Sequence, residues 1–214
     1  LPDGKPLRLV FGETVTELAA KDPRIVVLDG DLGSSTQAKI FEDAYPERFY
    51  QMGIAEQNML GVAAGMAKTG LVPFISTFVA FALHRPLDQI RVLIAQTGAN
   101  VKITAGYCGL FTGKAGKTHQ IVDDISIARA MPGMVVISPA DEVETKEVLA
   151  WSLDYDGPVF IRLVRDVTQT LFKPGHKFKF GQVKVVREGR DITLISTGTQ
   201  TPRVVDAADI LAEA

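Results

Sequence analysis

From residue 8 onward, short β-branched runs alternate with longer segments of helical period. Strands that follow one another through helices must be joined by crossovers, so this alternation dictates an α/β fold: a parallel sheet with helices on both faces. The spacing predicts strands at 25–28, 49–52, 72–76, 101–104, 134–137 and 158–162. It predicts helices at 10–20, 55–68, 78–96, 123–130 and 141–155, the third kinked near Pro86 because proline lacks the helix donor. Asp22-Pro23 stops the first helix and Asp29-Gly30 closes the first strand. In the second helix Met59, Val62, Ala63 and Met66 recur at helical spacing, and Gly61 and Gly65 read as points of close packing against a neighbour.

These elements make one domain over residues 1–166. Residues 167–190, with Lys173-Pro174-Gly175-His176 and a polar alternating stretch, read as a linker carrying a hairpin. Residues 191–214 open a second α/β unit, with a strand at 192–196 and a helix from Thr201. One strand and one helix cannot cover each other's apolar faces, so this unit is expected to be the beginning of a larger, here incomplete, domain.

A net charge of −2 provides no broad basic field, which argues against nucleic acid or an anionic membrane as partner and makes any phosphate recognition local. No apolar run approaches the roughly 20 residues of a membrane helix. Cys108 is the single cysteine, so no internal disulfide forms and a cytoplasmic setting is expected. The histidines, His84, His119 and His176, lie in distant segments, and no metal site is placed in this chain.

Three segments could carry chemistry. Gly53-Ile54-Ala55-Glu56-Gln57-Asn58 sets an acid at a helix start directly after a strand end, where open α/β sheets build their sites. Glu56 there is either a carboxylate complementing the helix dipole or a functional acid. Pro73-Phe74-Ile75-Ser76-Thr77-Phe78-Val79-Ala80-Phe81 clusters aromatic rings just beyond a strand, as core or as a stacking face. An aromatic face beside a carboxylate suits a flat, protonatable heterocycle. The glycine-rich loop from Gly106 to Gln120 ends at His119, which could move protons near neutral pH or simply face solvent. Its lysines do not make a nucleotide-phosphate loop, since Gly113-Lys114-Ala115-Gly116-Lys117-Thr118 lacks the first glycine at the required distance.

In this order, Gly53-Ile-Ala-Glu-Gln-Asn, Pro73-Phe-Ile-Ser-Thr-Phe, Thr118-His119-Gln120, Pro139-Ala-Asp141 and Gly157-Pro-Val-Phe-Ile-Arg162 resemble the pyrimidine-binding domain of transketolases. The resemblance covers about residues 8 to 166, and the tail resembles the opening of that family's third domain. It implies the second subunit of a split, thiamine-diphosphate-dependent enzyme. A diphosphate-binding partner subunit would hold Mg²⁺ (or Ca²⁺), the pair forming an α2β2 heterotetramer that moves a two-carbon ketol unit between sugar phosphates. Asp29-Gly30-Asp31-Leu32 with Asn58 mimics the family's metal motif only loosely, because the second glycine and second asparagine are missing.

By the same resemblance, Glu56 hydrogen-bonds the aminopyrimidine and promotes its imino form, Phe81 stacks on that ring, Phe78 packs beside it, and Asp31 lies near the thiazolium. His119 contacts the sugar hydroxyls beside the reacting carbon. Arg8, Ser35 and Arg165 fall at sugar-phosphate positions, with Arg85 a fourth by likeness to deoxyxylulose-phosphate synthases. There are two departures. Lys114-Ala115 replaces the usual Glu-Asp before His119, which puts ketose selection in doubt, and Tyr107 stands where single-chain enzymes have a phosphate-binding histidine. The competing readings are the β subunit of a 2-oxoacid dehydrogenase first component, another ketol transferase, and a non-catalytic scaffold.

Overall fold

The computed structural model describes residues 3–213. Its centre is a six-stranded, all-parallel sheet in the order β2-β1-β3-β4-β6-β5. The strands are β1 (Ile25–Asp29), β2 (Phe49–Gln51), β3 (Val72–Ser76), β4 (Lys102–Ala105), β5 (Val135–Ile137) and β6 (Val159–Arg162). Every residue of β1, β3 and β4 is buried, which requires cover on both faces; β1 and β3 are accordingly apolar up to their last residues, Asp29 and Ser76, while β4 carries Lys102 and Thr104 with their polar ends hydrogen-bonded to carbonyls. The edge strands β2 and β5 are only partly covered.

Cover comes from α1 (Leu7–Ala19), which packs against α3 (Lys39–Ala44) and α8 (Glu142–Asp154), and from α4 (Glu56–Lys68), packed on β3. Short helices α2 (Gly33–Thr36), α5 (Val79–His84), α6 (Leu87–Gln89) and α7 (Asp124–Arg129) fill in between. From β1 the chain steps outward to β2, then crosses back to β3 on the other side of β1. That reversal makes the carboxyl ends of β1 and β3 the place where an open α/β sheet leaves a crevice.

All six expected strands of the first domain are present. The expected helix over 78–96 is instead divided into α5, α6 and a π-helical turn, Ile90–Ala95. Proline removes a donor at position 86, α5 ends at His84, and the chain re-enters helix only at Leu87. Helices α2 and α3 fall in a stretch where no helix was expected. The close-packing role expected of Gly61 and Gly65 is not realised within the chain, because a Cβ at either position would meet nothing within 4 Å.

Neither the hairpin in 167–190 nor the strand at 192–196 forms, since no described residue there enters a ladder. Strand conformation is held by a neighbour's N–H and C=O groups, and in 167–190 these amount to an isolated bridge between Val167 and Pro6 and a bond from Gly4 N to Thr168 O. Residues 170–180 are nevertheless strapped to α8. Asp141, fully buried, caps α8 through Glu144 N (2.8 Å) and accepts from Leu171 N (2.8 Å) and Phe172 N (2.6 Å). Thr170 Oγ1 donates to Glu142 at 2.7 Å, and Trp151 stacks on Phe180 at 5.0 Å. The Pro139-Ala140-Asp141 stretch is thus architectural. So is Arg162, whose guanidinium pairs with buried Asp124 and anchors α7 to the end of β6. Helix α9 (Thr201–Ala212) forms as the sequence predicts, although Ile210 and Leu211 on it stay exposed.

Lys102 opens β4 fully buried, its Nζ donating to the carbonyls of Tyr155 (2.7 Å) and Gly157 (2.9 Å). Burial pushes its ammonium down to about 7 from 10.5, with Asp156 opposing the shift. Because the folded-state value is the lower one, the unfolded chain binds more protons between those two values, and stability rises with pH across that window. Below about 7 the penalty is fully present. Denaturant midpoints from pH 7 to 10 should show this upward contribution, and Lys102→Met should flatten it; an identical slope in the variant would contradict the assignment.

Candidate active site

The crevice is built from the strand ends. Asp29, last residue of β1 and fully buried, accepts from Leu32 N (2.8 Å), Gly33 N (3.0 Å), Gln51 Nε2 (3.2 Å) and Ser76 Oγ (2.8 Å). Ser76 Oγ also meets Thr36 Oγ1 at 2.7 Å. This knot ties the ends of three adjacent strands to the loop that carries Asp31 and Ser35. At Gly30 the backbone passes so close to Thr77 that a Cβ would sit 3.1 Å from its Oγ1. Asp31 follows with φ 63° and lies exposed at the crevice edge.

Beyond β2 the chain turns at Gly53, whose φ of 66° favours glycine, and enters α4 with Glu56 as its first residue. Glu56 is only 3% exposed, and its Oε1 accepts from Arg85 Nη1 at 2.6 Å. The Arg85 guanidinium lies 4.0 Å from the centroid of Phe81. Its backbone is held by Gln57, whose Nε2 donates to Arg85 O at 3.1 Å.

The aromatic rings continue as a row. Phe81 stacks on Phe78 (5.8 Å), Phe78 stacks on Tyr107 (3.9 Å), and His119 meets both phenylalanines edge-on at 5.1 Å and 5.9 Å. His119 Nδ1 pairs with Thr118 Oγ1 at 2.8 Å. At the far end two guanidiniums flank Tyr107: Arg8 at 6.0 Å and Arg165 at 5.7 Å from the ring centroid. Arg8 Nη1 donates to Ser35 O at 2.9 Å, and Tyr107 Oη to the same oxygen at 3.4 Å. Arg8 Nε is buried and has no partner among the described residues.

The crevice therefore has an acid-and-ring end at Glu56 and Phe81 and a cationic end at Arg8 and Arg165, joined by Phe78, Tyr107 and His119. Of the residues that sequence reasoning singled out, Glu56, Phe78, Phe81, Tyr107, His119, Arg8 and Arg165 are linked here from segments far apart in the chain, Ser35 joins through its carbonyl, and Asp31 stands on the same loop as Ser35 with its N–H donating to Gln51 Oε1. Arg85 departs from that grouping: it sits on Glu56, away from the other arginines. Sequence reasoning missed the supporting groups Asp29, Gln51 and Ser76, although a buried acid at the last position of a central strand, followed by glycine, is a visible signal. Lys114 and Ala115 lie exposed on a short 3-10 turn, Gly113–Ala115, before His119. Cys108 is fully buried, and burial pushes its thiol up to about 12, which leaves it without thiolate character at neutral pH.

Residues 4–170 match the model of the transketolase pyrimidine binding domain. The chain belongs to this family. A putative transketolase C-terminal section from Methanocaldococcus jannaschii is 43% identical over 211 residues, covering 98% of this chain and 67% of that protein. A 6-deoxy-6-sulfo-D-fructose transketolase subunit from a Clostridium species is 38% identical, covering 96% of this chain and 64% of that one. Among solved structures, a split-gene transketolase captured as an inactive β4 tetramer superposes with a TM-score of 0.90 at 39% identity, covering 99% of this chain and 68% of its own.

This transketolase-family chain thus spans between 58% and 67% of the length of the first curated relatives it matches. The family uses thiamine diphosphate, and the groups at the acid-and-ring end fit its aminopyrimidine. Glu56 is a buried carboxylate already hydrogen-bonded to a planar N–C–N group, and that group lies over an aromatic face. No helix among the described residues is long and apolar enough to cross a membrane.

Proposed function

We propose that the chain is the pyrimidine-binding subunit of a split transketolase, working with a diphosphate-binding partner in an α2β2 assembly. The observation that carries this reading is that one flat guanidinium, Arg85, bridges buried Glu56 and Phe81, the end of the Phe81–Phe78–Tyr107 row, beyond the β1/β3 switch point. Thiamine diphosphate, when bound, supplies a thiazolium carbon acid able to attack a ketose carbonyl and carry two carbons. Glu56 would hold the ring nitrogen and share a proton with it, its burial keeping water away from that contact. Phe81 and Phe78 would orient the ring by stacking, and Asp31 would act near the thiazolium. His119 holds the sugar hydroxyls next to the reacting carbon.

At the cationic end Arg8, Arg165, Ser35 and Tyr107 take the phosphate of a sugar phosphate, since a guanidinium fork matches two phosphate oxygens. The buried Arg8 Nε, unpartnered among the described residues, supports that role, for an unsatisfied donor favours an entering anion. Mg²⁺ and the diphosphate are assigned to the partner, and the setting is the cytoplasm. The cationic end favours a sugar phosphate over a plain 2-oxoacid donor.

Mixing the chain with its partner subunit, thiamine diphosphate, Mg²⁺, xylulose 5-phosphate and ribose 5-phosphate should yield sedoheptulose 7-phosphate. A parallel screen with pyruvate as donor tests the 2-oxoacid reading. Consumption of pyruvate without ketol transfer would replace the proposal, and an assembly that binds no coenzyme would point to a scaffold.

A further inference from the structure

The Glu56–Arg85 contact has no part in the proposed chemistry. Glu56 is all but sealed, while the Arg85 side chain is 42% exposed, so the arginine is the outward cover of the carboxylate. It covers Phe81 as well, with its guanidinium carbon 4.0 Å from the ring centroid. Phe78 and the His119 edge already take other sides of that ring. A guanidinium is flat, presents an N–C–N fork to a carboxylate and stacks on aromatic faces. An aminopyrimidine offers the same carboxylate and the same ring face the same features.

We infer, resting on the reading of Glu56 and Phe81 above, that Arg85 is an internal competitor for the aminopyrimidine site, so that its displacement sets how tightly thiamine diphosphate binds. The local sequence makes this displacement local. Pro86 ends α5, and Gln57 Nε2 pins the Arg85 carbonyl at 3.1 Å, so the backbone stays and only a half-exposed side chain need rotate. Arg85 thereby shields a buried carboxylate that would otherwise lack a partner, and it yields to a ring that stacks and hydrogen-bonds in its stead.

Calorimetric titration of the assembled two-subunit enzyme with thiamine diphosphate and Mg²⁺ tests this. Arg85→Ala should bind the coenzyme about tenfold more tightly, the scale of one charge-assisted hydrogen bond to a half-exposed partner. Arg85→Lys, which keeps the charge but loses the plane, should fall between. In a Glu56→Gln background the gain from Arg85→Ala should shrink to less than about twofold, since the contested carboxylate is gone. Wild-type binding with unchanged or weaker affinity in Arg85→Ala overturns the inference alone and makes Arg85 a bystander or a coenzyme ligand. Absence of binding by every variant sinks both the inference and the reading on which it rests.

Discussion

Glu56→Gln lowers turnover of the assembled enzyme by about 10² to 10⁴, the usual scale for losing positioned acid–base help. Glutamine matches glutamate in size and still accepts a hydrogen bond, so packing at the start of α4 survives; the ability to share a proton does not. The carboxylate is 3% exposed and reached by one cation, so water cannot take over its role. Single-turnover kinetics on the reconstituted pair, with circular dichroism to verify the fold, would measure the effect. Turnover within a factor of two of wild type would remove Glu56 from the chemistry. A loss confined to KM would make it a binding group only, because an interaction used in the transition state must appear in kcat.

Asp29→Ala costs about 3 to 5 kcal/mol of stability, the scale of stranding several buried donors at about 1 to 3 kcal/mol each. Its oxygens take donors from Leu32, Gly33, Gln51 and Ser76, all at 2.8–3.2 Å. Gln51 and Ser76 are the residues in register with Asp29 on the two neighbouring strands, so the deletion leaves donors stranded across three strand ends at once. Urea unfolding monitored at Trp151 reads the shift in midpoint. Coenzyme binding should weaken too, because the same knot shapes the loop carrying Asp31 and Ser35. A loss below about 1 kcal/mol would mean that water replaces the carboxylate, and the knot would then be incidental.

The central strands were legible because a parallel strand buried on both faces is largely a continuous apolar run, as Ile25 to Leu28 and Val72 to Ile75 are. The catalytic candidates were legible by resemblance, one residue at a time. The short helices α2 and α3 carried no period long enough to see. The strand read at 192–196 shows the opposite failure: local β-preference is real there, but pairing is not a local property.

Chain order and apolar period by themselves determined that this protein has a parallel sheet, where each strand ends to within about one residue, and that Glu56 lies at the start of a helix beside one of those ends. Only the tertiary structure decided what meets there. Arg85 reaches Glu56 across 29 positions, and Tyr107 reaches Ser35 across 72. Both meetings depend on β3, not β2, lying between β1 and β4, an order set by how the whole set of helices buries its apolar faces rather than by any single segment.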